Sequence, residues 1–166
     1  MPARALYAGT FDPPTMGHLD LIRRARALFS GVVVAIVVNP DKKPLFSADE
    51  RKEMLATALG DLDGVEILVF AGLAIDQARA RNCKVLVRGV RTAADFEAEM
   101  TMALTNRRLA PEIDTIFLPP AAAYSWLSSR LVKEVVRNGG SVGDFLYPGV
   151  EERLRERLKR QAGGSN

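Results

Sequence analysis

The chain of 166 residues is predicted to fold as a doubly wound α/β domain built on one five-stranded parallel sheet. Three features carry that expectation. Short aliphatic runs alternate with segments of helical period from the first residues almost to the last. The clearest run, residues 32–38 (VVVAIVV), shows no polar alternation, as a strand covered on both faces should not. No Ser/Gly-rich linker interrupts the alternation, so a single domain over residues 1–161 is expected, with 162–166 as a flexible tail. Right-handed crossovers place such strands side by side in one sheet.

The elements follow in order. Strands are expected at residues 4–8, 32–38, 65–70, 85–87 and 115–118, each rich in Val, Ile, Leu or aromatic side chains. The first helix is marked by Leu19, Ile22, Ala25, Leu28 and Phe29 at helical spacing, with Arg23, Arg24 and Arg26 largely opposite. Ser47 and Glu50 have capping-box spacing ahead of Met54, Leu55, Ala58 and Leu59, which starts the second helix. A third helix is expected over 74–81. Thr92 can cap a fourth that carries Phe96, Met100, Ala103, Leu104 and Leu109 and stops at Pro111. Ser128 can cap a fifth that ends near Asn138-Gly139-Gly140. The last helix, over 151–160, mixes charges of both signs with few apolar residues and reads as solvated or subunit-facing.

Composition excludes several classes of protein. Hydrophobic residues make up 48% and charged residues 26%, ordinary for a globular domain and unlike a disordered or fibrous chain. Cys83 is the single cysteine, so neither an internal disulfide nor a metal site of paired cysteines can form, and a reducing compartment is expected. The start of the chain has no signal-peptide pattern, and the longest aliphatic run is far short of the roughly 20 residues of a membrane helix. A cytoplasmic protein without membrane partners is therefore expected. The net charge of +3 is a mild excess that suits a phosphorylated ligand, while no basic stripe interleaved with aromatics marks a nucleic-acid surface.

Ligands of open α/β sheets bind at the carboxyl ends of the strands, so the loops there are the candidate site. The first, Gly9-Thr10-Phe11-Asp12-Pro13-Pro14-Thr15-Met16-Gly17-His18, is neither a Walker loop nor a dinucleotide fingerprint. Its glycines allow close backbone approach, and the helix that follows offers N–H groups to an anion. His18 is the only histidine, and the helix N-terminus disfavours its charged form. Alone it would read as a surface or capping residue; its spacing from Thr10 points to a role. Lys42 and Lys43 lie between Pro40 and Pro44, a stretch that alone reads as a solvated turn. Arg88 and Arg91 flank Gly89 and Val90 ahead of a helix, a fork suited to phosphate. Ser128 and Ser129 open another helix. Three anion-friendly loops on one sheet edge fit a nucleoside triphosphate. No cluster of carboxylates or histidines provides a metal site, so Mg²⁺ would be carried mainly by phosphate oxygens.

Thr10-Phe11-Asp12-Pro13 with Thr15-Met16-Gly17-His18, then Lys42, Arg88-Gly89-Val90-Arg91, Asp95-Phe96-Glu97 with Glu99, Asn106-Arg107 and Ser128 through Glu134 closely resemble the bacterial phosphopantetheine adenylyltransferase family. The Gly-His and Ser-Ser signatures alone mark only the wider nucleotidyltransferase superfamily, with its Rossmann-like fold; Lys42, Arg88 and Glu99 narrow the match. The resemblance implies that ATP and 4'-phosphopantetheine give dephospho-coenzyme A and pyrophosphate with Mg²⁺, in a homohexamer subject to feedback by coenzyme A. It implies that His18, Thr10 and Lys42 are catalytic, and that Thr10, Lys42, Ala74 and Arg88 hold the acceptor. It also implies that Thr10, Phe11, His18, Gly89, Val90, Arg91, Glu99, Tyr124, Ser125, Trp126, Leu127, Ser128, Ser129 and Arg130 line the ATP site. Ala98 stands where many relatives have tyrosine, and Ala121-Ala122-Ala123 replaces a more polar stretch. A nucleotidyltransferase acting on nicotinate mononucleotide, a non-catalytic nucleotide-binding module and a nucleic-acid-binding protein, which the basic pI would suit, are the rival readings.

Overall fold

The computed structural model describes residues 3–39, 43–60 and 62–163. Five parallel strands form one sheet in the order β3-β2-β1-β4-β5: β1 (Arg4–Gly9), β2 (Gly31–Val37), β3 (Val65–Phe70), β4 (Cys83–Gly89) and β5 (Asp114–Leu118). The helices are α1 (Met16–Leu28), α2 (Ala48–Leu59), α3 (Ala74–Ala80), α4 (Ala93–Leu109), α5 (Ser129–Arg137) and α6 (Val150–Gly163). The expected doubly wound fold is what forms.

Burial explains why the sequence separates so cleanly into these elements. Val32, Val33, Val34, Ala35 and Ile36 of β2 are all fully buried, their side chains alternating between two cores. One core packs Ala5, Tyr7, Val32, Val34 and Ile36 beneath Leu19, Ile22 and Ala25 of α1 and Leu55 and Ala58 of α2. The other packs Leu6, Ala8, Val33, Ala35 and Leu86 against Ile75 and Ala78 of α3. Ser47 caps α2 by accepting from the Glu50 N–H, and the Glu50 carboxylate accepts from the Ser47 N–H. Thr92 and Ser128 likewise accept from the Asp95 and Leu131 N–H groups.

Most boundaries fall within a residue or two of expectation, but several details depart from it. β4 is longer than residues 85–87, because Lys84 and Arg88 lie within the strand and break its apolar run. A short 3₁₀ turn, Ala122–Tyr124, follows β5. The solvated reading of the last helix is corrected: Val150, Leu154 and Leu158 of α6 form a buried stripe against Val132 and Val136 of α5 and against Leu45, Phe46 and Met54. Three apolar residues at spacing four suffice to bury one face while the rest stays charged. α6 runs to Gly163, two residues into the stretch expected as a tail; 164–166 lie outside the described residues.

Candidate active site

β1 lies between β2 and β4, so the chain leaves it in opposite directions and a crevice opens at its carboxyl end. A cleft of ≈ 590 Å³ occupies that crevice. The β1–α1 loop supplies Thr10, Phe11, Asp12, Thr15, Gly17 and His18; Lys43 and Pro44 come from the β2–α2 loop, and Gly89 and Arg91 from the end of β4. Pro120, Tyr124, Leu127, Ser128, Ser129 and Lys133 complete the wall from the β5 side.

The β1–α1 loop is shaped by a ring folded back on itself. Phe11 has a left-handed backbone (φ 52°) and is almost fully buried, with edge-on contacts to Tyr7 at 5.5 Å and His18 at 5.1 Å between ring centres. A Cβ on Gly9 would stand 2.9 Å from the Phe11 ring, so glycine is what lets the ring lie there. A Cβ on Gly89 would stand 2.6 Å from the end of the Leu21 side chain of α1, which would have to shift to admit it.

His18 sits on this buried floor, with part of its surface open to the cleft. The backbone N–H of Thr15 donates to its Nδ1 at 3.0 Å. Nδ1 must then carry a lone pair, so the neutral ring holds its proton on Nε2. Desolvation by its neighbours, helped by the positive charge of Arg91, lowers the imidazole pKa to about 4. At neutral pH the ring is therefore an uncharged Nε2–H donor on the cleft wall. Tyr7 is also neutral there, its phenol pushed up to about 12 mainly by burial.

Two charged groups to which the sequence alone assigns no role hold the loops together. Arg51 of α2 is 1% exposed, and its Nη1 donates to the Thr10 carbonyl at 2.7 Å and to the Val37 carbonyl at 3.3 Å. It thus ties the end of β2 to the first candidate residue. A signal was present: Arg51 falls in register with Met54, Leu55 and Ala58 on the buried face of α2. Asp12 is 5% exposed and accepts from the Phe46 N–H on Oδ1 and from the Leu45 N–H on Oδ2, both at 2.9 Å. The Lys133 ammonium also donates to Oδ2, at 3.0 Å. On the β5 side, Asp20 accepts from the Ala121 N–H at 3.2 Å, and Arg24 donates to the Pro119 carbonyl at 2.6 Å.

The cleft brings together nine of the candidate residues: Thr10, Phe11, His18, Gly89, Arg91, Tyr124, Leu127, Ser128 and Ser129. Arg91 is held by Asp95 at 3.1 Å and by the Leu127 carbonyl at 2.8 Å. Ser129 Oγ donates to the Pro13 carbonyl at 2.7 Å, fastening α5 to the β1–α1 loop. Arg88 and Glu99 meet each other beside the cleft, in a two-pronged pair with both contacts at 2.6 Å, while Arg88 Nη1 donates to the Ala8 carbonyl at 2.7 Å. Val90 lies in the loop after β4, its N–H donating to the Leu118 carbonyl, and Ser125 Oγ donates to the Ala122 carbonyl. Exposed Trp126 stacks edge-on against Phe145 at 4.7 Å, and Arg130 is exposed on α5. Ala74, the first residue of α3, packs against the second core and is not among the cleft-lining residues. Lys42 lies outside the described residues.

A cytidylyltransferase-like family model matches residues 6–135, which span every cleft-lining segment. A phosphopantetheine adenylyltransferase from Heliobacterium modesticaldum is 46% identical over 153 residues, covering 92% of this chain and 91% of that protein. Another, from Synechococcus sp. (strain JA-3-3Ab), is 48% identical over 154 residues, covering 93% and 97%. The chain belongs to the phosphopantetheine adenylyltransferase family. Among solved structures, a bifunctional NMN adenylyltransferase/ADP ribose pyrophosphatase from Francisella tularensis superposes with a TM-score of 0.72 at 21% identity. That match covers 96% of this chain and 50% of the other, and shows a shared fold. Within the family, the departure at Ala98 falls on an exposed position of α4, and Ala121 to Ala123 lead into the 3₁₀ turn that carries Tyr124 to the cleft.

Proposed function

We propose that this chain transfers the adenylyl group of ATP to 4'-phosphopantetheine, releasing pyrophosphate and forming dephospho-coenzyme A, the penultimate step of coenzyme A synthesis. The observation that carries the reading is near-full-length identity of 46% and 48% to phosphopantetheine adenylyltransferases. The cleft supports it, since a neutral histidine donor and the first residues of α5 line one cavity whose polar wall suits phosphates.

In this reading a phosphate oxygen of the acceptor attacks the α-phosphorus of ATP in line, and the bond from that phosphorus to the bridging oxygen breaks. The nucleophile is already anionic near neutral pH, so no strong base is required. That agrees with a histidine that stays unprotonated and bonded at Nδ1. His18 Nε2–H, Thr10 and Lys42 donate to the oxygens where negative charge accumulates, and preorganisation does the catalytic work. Arg51, by fixing the Thr10 carbonyl, keeps that residue in place. Lys42 and Arg88 hold the acceptor phosphate, Arg88 using the N–H groups not committed to Glu99 and Ala8, and Ala74 lies along the acceptor's arm. Phe11, Gly89, Val90, Arg91, Glu99 and residues 124–130 enclose the nucleotide. ATP enters as its Mg²⁺ complex, the metal carried by phosphate oxygens; among the described residues no group of three or more His, Cys, Asp or Glu forms a cage for it.

A homohexamer with feedback by coenzyme A, working in the cytoplasm, belongs to the same proposal. The long, uncovered α4 supports assembly, with Phe96, Met102, Leu104 and Leu109 all exposed beside Ile116 of β5. Among the described residues no helix is long and apolar enough to cross a membrane. The test is pyrophosphate release from Mg²⁺-ATP with 4'-phosphopantetheine, with nicotinate mononucleotide, or with neither. Release that depends on phosphopantetheine is expected, and release only with nicotinate mononucleotide would overturn the assignment.

A further inference from the structure

One side chain of the last helix reaches back to a loop of the cleft. Arg157 stands in α6 between Leu154 and Leu158, the leucines that pack this helix against Leu45 and Phe46 at the end of the β2–α2 loop. Its guanidinium carbon lies 5.3 Å from the centre of the Phe46 ring. Nη1 donates to the Leu45 carbonyl at 3.1 Å, and Nη2 donates to the Glu50 carboxylate of α2. Glu50 is also the capping-box partner of Ser47, so one guanidinium joins the last residues of the loop to the first turn of the helix that follows.

Leu45 is thereby gripped through both of its backbone groups. Asp12 of the β1–α1 loop accepts its N–H together with that of Phe46, and Arg157 holds its carbonyl from the opposite side. The two residues just before it, Lys43 and Pro44, line the cleft. Without Arg157 the Asp12 contacts remain, but the Leu45 carbonyl and the Phe46 ring lose their anchor, and a chain held from one side can pivot. A shift of about 1 Å in a positioning group can cost up to about 10²-fold. We propose that Arg157 is a positioning residue: from α6 it sets the place of the β2–α2 loop at the cleft, and with it the affinity for the phosphorylated acceptor.

This rests on the adenylyl-transfer reading, in which that loop faces the acceptor rather than ATP. A second arginine of α6 supplies a contrast. Arg153, one turn earlier, pairs with Glu53 of α2 at 3.3 Å and so joins the same two helices at a point beyond the loop.

The test compares steady-state kinetics of the full-length wild type with those of Arg157→Met, Arg157→Lys and Arg153→Met. Methionine keeps an apolar stem over Phe46 but donates nothing. Arg157→Met should raise the KM for 4'-phosphopantetheine about 10-fold, the range of one charged hydrogen bond, with kcat and the KM for ATP held within about 2-fold. Lysine keeps the charge but cannot fork between Leu45 and Glu50, so Arg157→Lys should recover part of the loss and still show a rise of about 3-fold. Arg153→Met should match wild type in all three constants, as for an exposed ion pair. An unshifted acceptor KM in folded Arg157→Met would overturn the role. An equal rise for both substrates, or the same acceptor rise in Arg153→Met, would overturn it too, since either marks a general loss of packing rather than a displaced loop. Should Arg157→Met fail to fold, Arg157→Lys decides by the same criteria, and failure of both to fold would make Arg157 a structural residue and defeat the proposal. Wild-type protein that makes no dephospho-coenzyme A defeats the functional reading and this role with it, whereas an active wild type beside an unshifted variant defeats this role alone.

Discussion

His18 illustrates how much chemistry one backbone contact can fix. Because the Thr15 N–H donates to Nδ1, the proton sits on Nε2, and burial then holds the ring neutral down to about pH 4. It is the only histidine in the chain, so its imidazole signals can be followed by NMR without assignment ambiguity. Their midpoint should fall near pH 4, and a midpoint near 6.5 would contradict the burial argument. The linkage has a definite sign. The folded pKa lies below the unfolded one, so the unfolded chain binds more protons between about pH 6.5 and 4. The stability from neutral His18 is complete above that window and is lost as pH falls through it. His18→Ala should lower kcat about 10²- to 10³-fold in protein that stays folded, as for loss of one preorganised donor. His18 and Thr10 were legible because a stiff loop with two glycines leads straight into a helix. Arg51 and Lys133 were not, since a cation at helical spacing reads as solvated until its acceptors are known. Those acceptors, the Thr10 carbonyl and the Asp12 carboxylate, lie 41 and 121 positions away in the chain.

At the scale of elements, caps and cores were readable while coverage was not. Ser47, Thr92 and Ser128 each cap the helix that their spacing indicates, because the capping interaction is local. The aliphatic β2 announces two covering layers, and both are present. α6 was harder, for its charges outnumber its three buried apolar residues and whether those meet a partner depends on α5 and the β2–α2 loop. Leu154 is fully buried in that cluster, so Leu154→Ala should cost about 2–5 kcal/mol in urea unfolding. A loss below about 0.5 kcal/mol, the range of surface substitutions, would restore the solvated reading. α4 shows the opposite case. Its 17 residues carry an apolar pattern, yet none is buried within the chain. Its exposed apolar residues Phe96, Met102, Leu104 and Leu109 are spread around the helix rather than gathered on one side, and Phe96 packs edge-on against Phe117 at 5.5 Å.

At the scale of the whole molecule, β5 is an edge strand of the sheet and α4 packs against it. Singly exposed apolar residues are ordinary, but Phe96, Met102, Leu104 and Leu109 on one helix, next to Ile116 on the edge strand, together suit contact with another copy of the chain. Sedimentation should give an assembly larger than a monomer, and Leu104→Glu should shift it toward smaller species. A monomeric wild type at micromolar concentration would contradict the proposed hexamer. The order of the strands was not legible, because handedness rules constrain each crossover without saying which neighbour a strand joins. It is this order that opens the crevice at β1, where the loops bearing Thr10, His18, Gly89, Arg91 and Ser128 converge. In the proposed reaction this crevice passes the adenylyl group directly to the acceptor, with no adenylylated enzyme between. The stereochemistry at phosphorus tests it: with ATP made chiral by sulfur at the α-phosphate and 4'-phosphopantetheine as acceptor, the dephospho-coenzyme A analogue should form with inversion of configuration. Retention would mean two displacements through an adenylylated enzyme, and would contradict the mechanism.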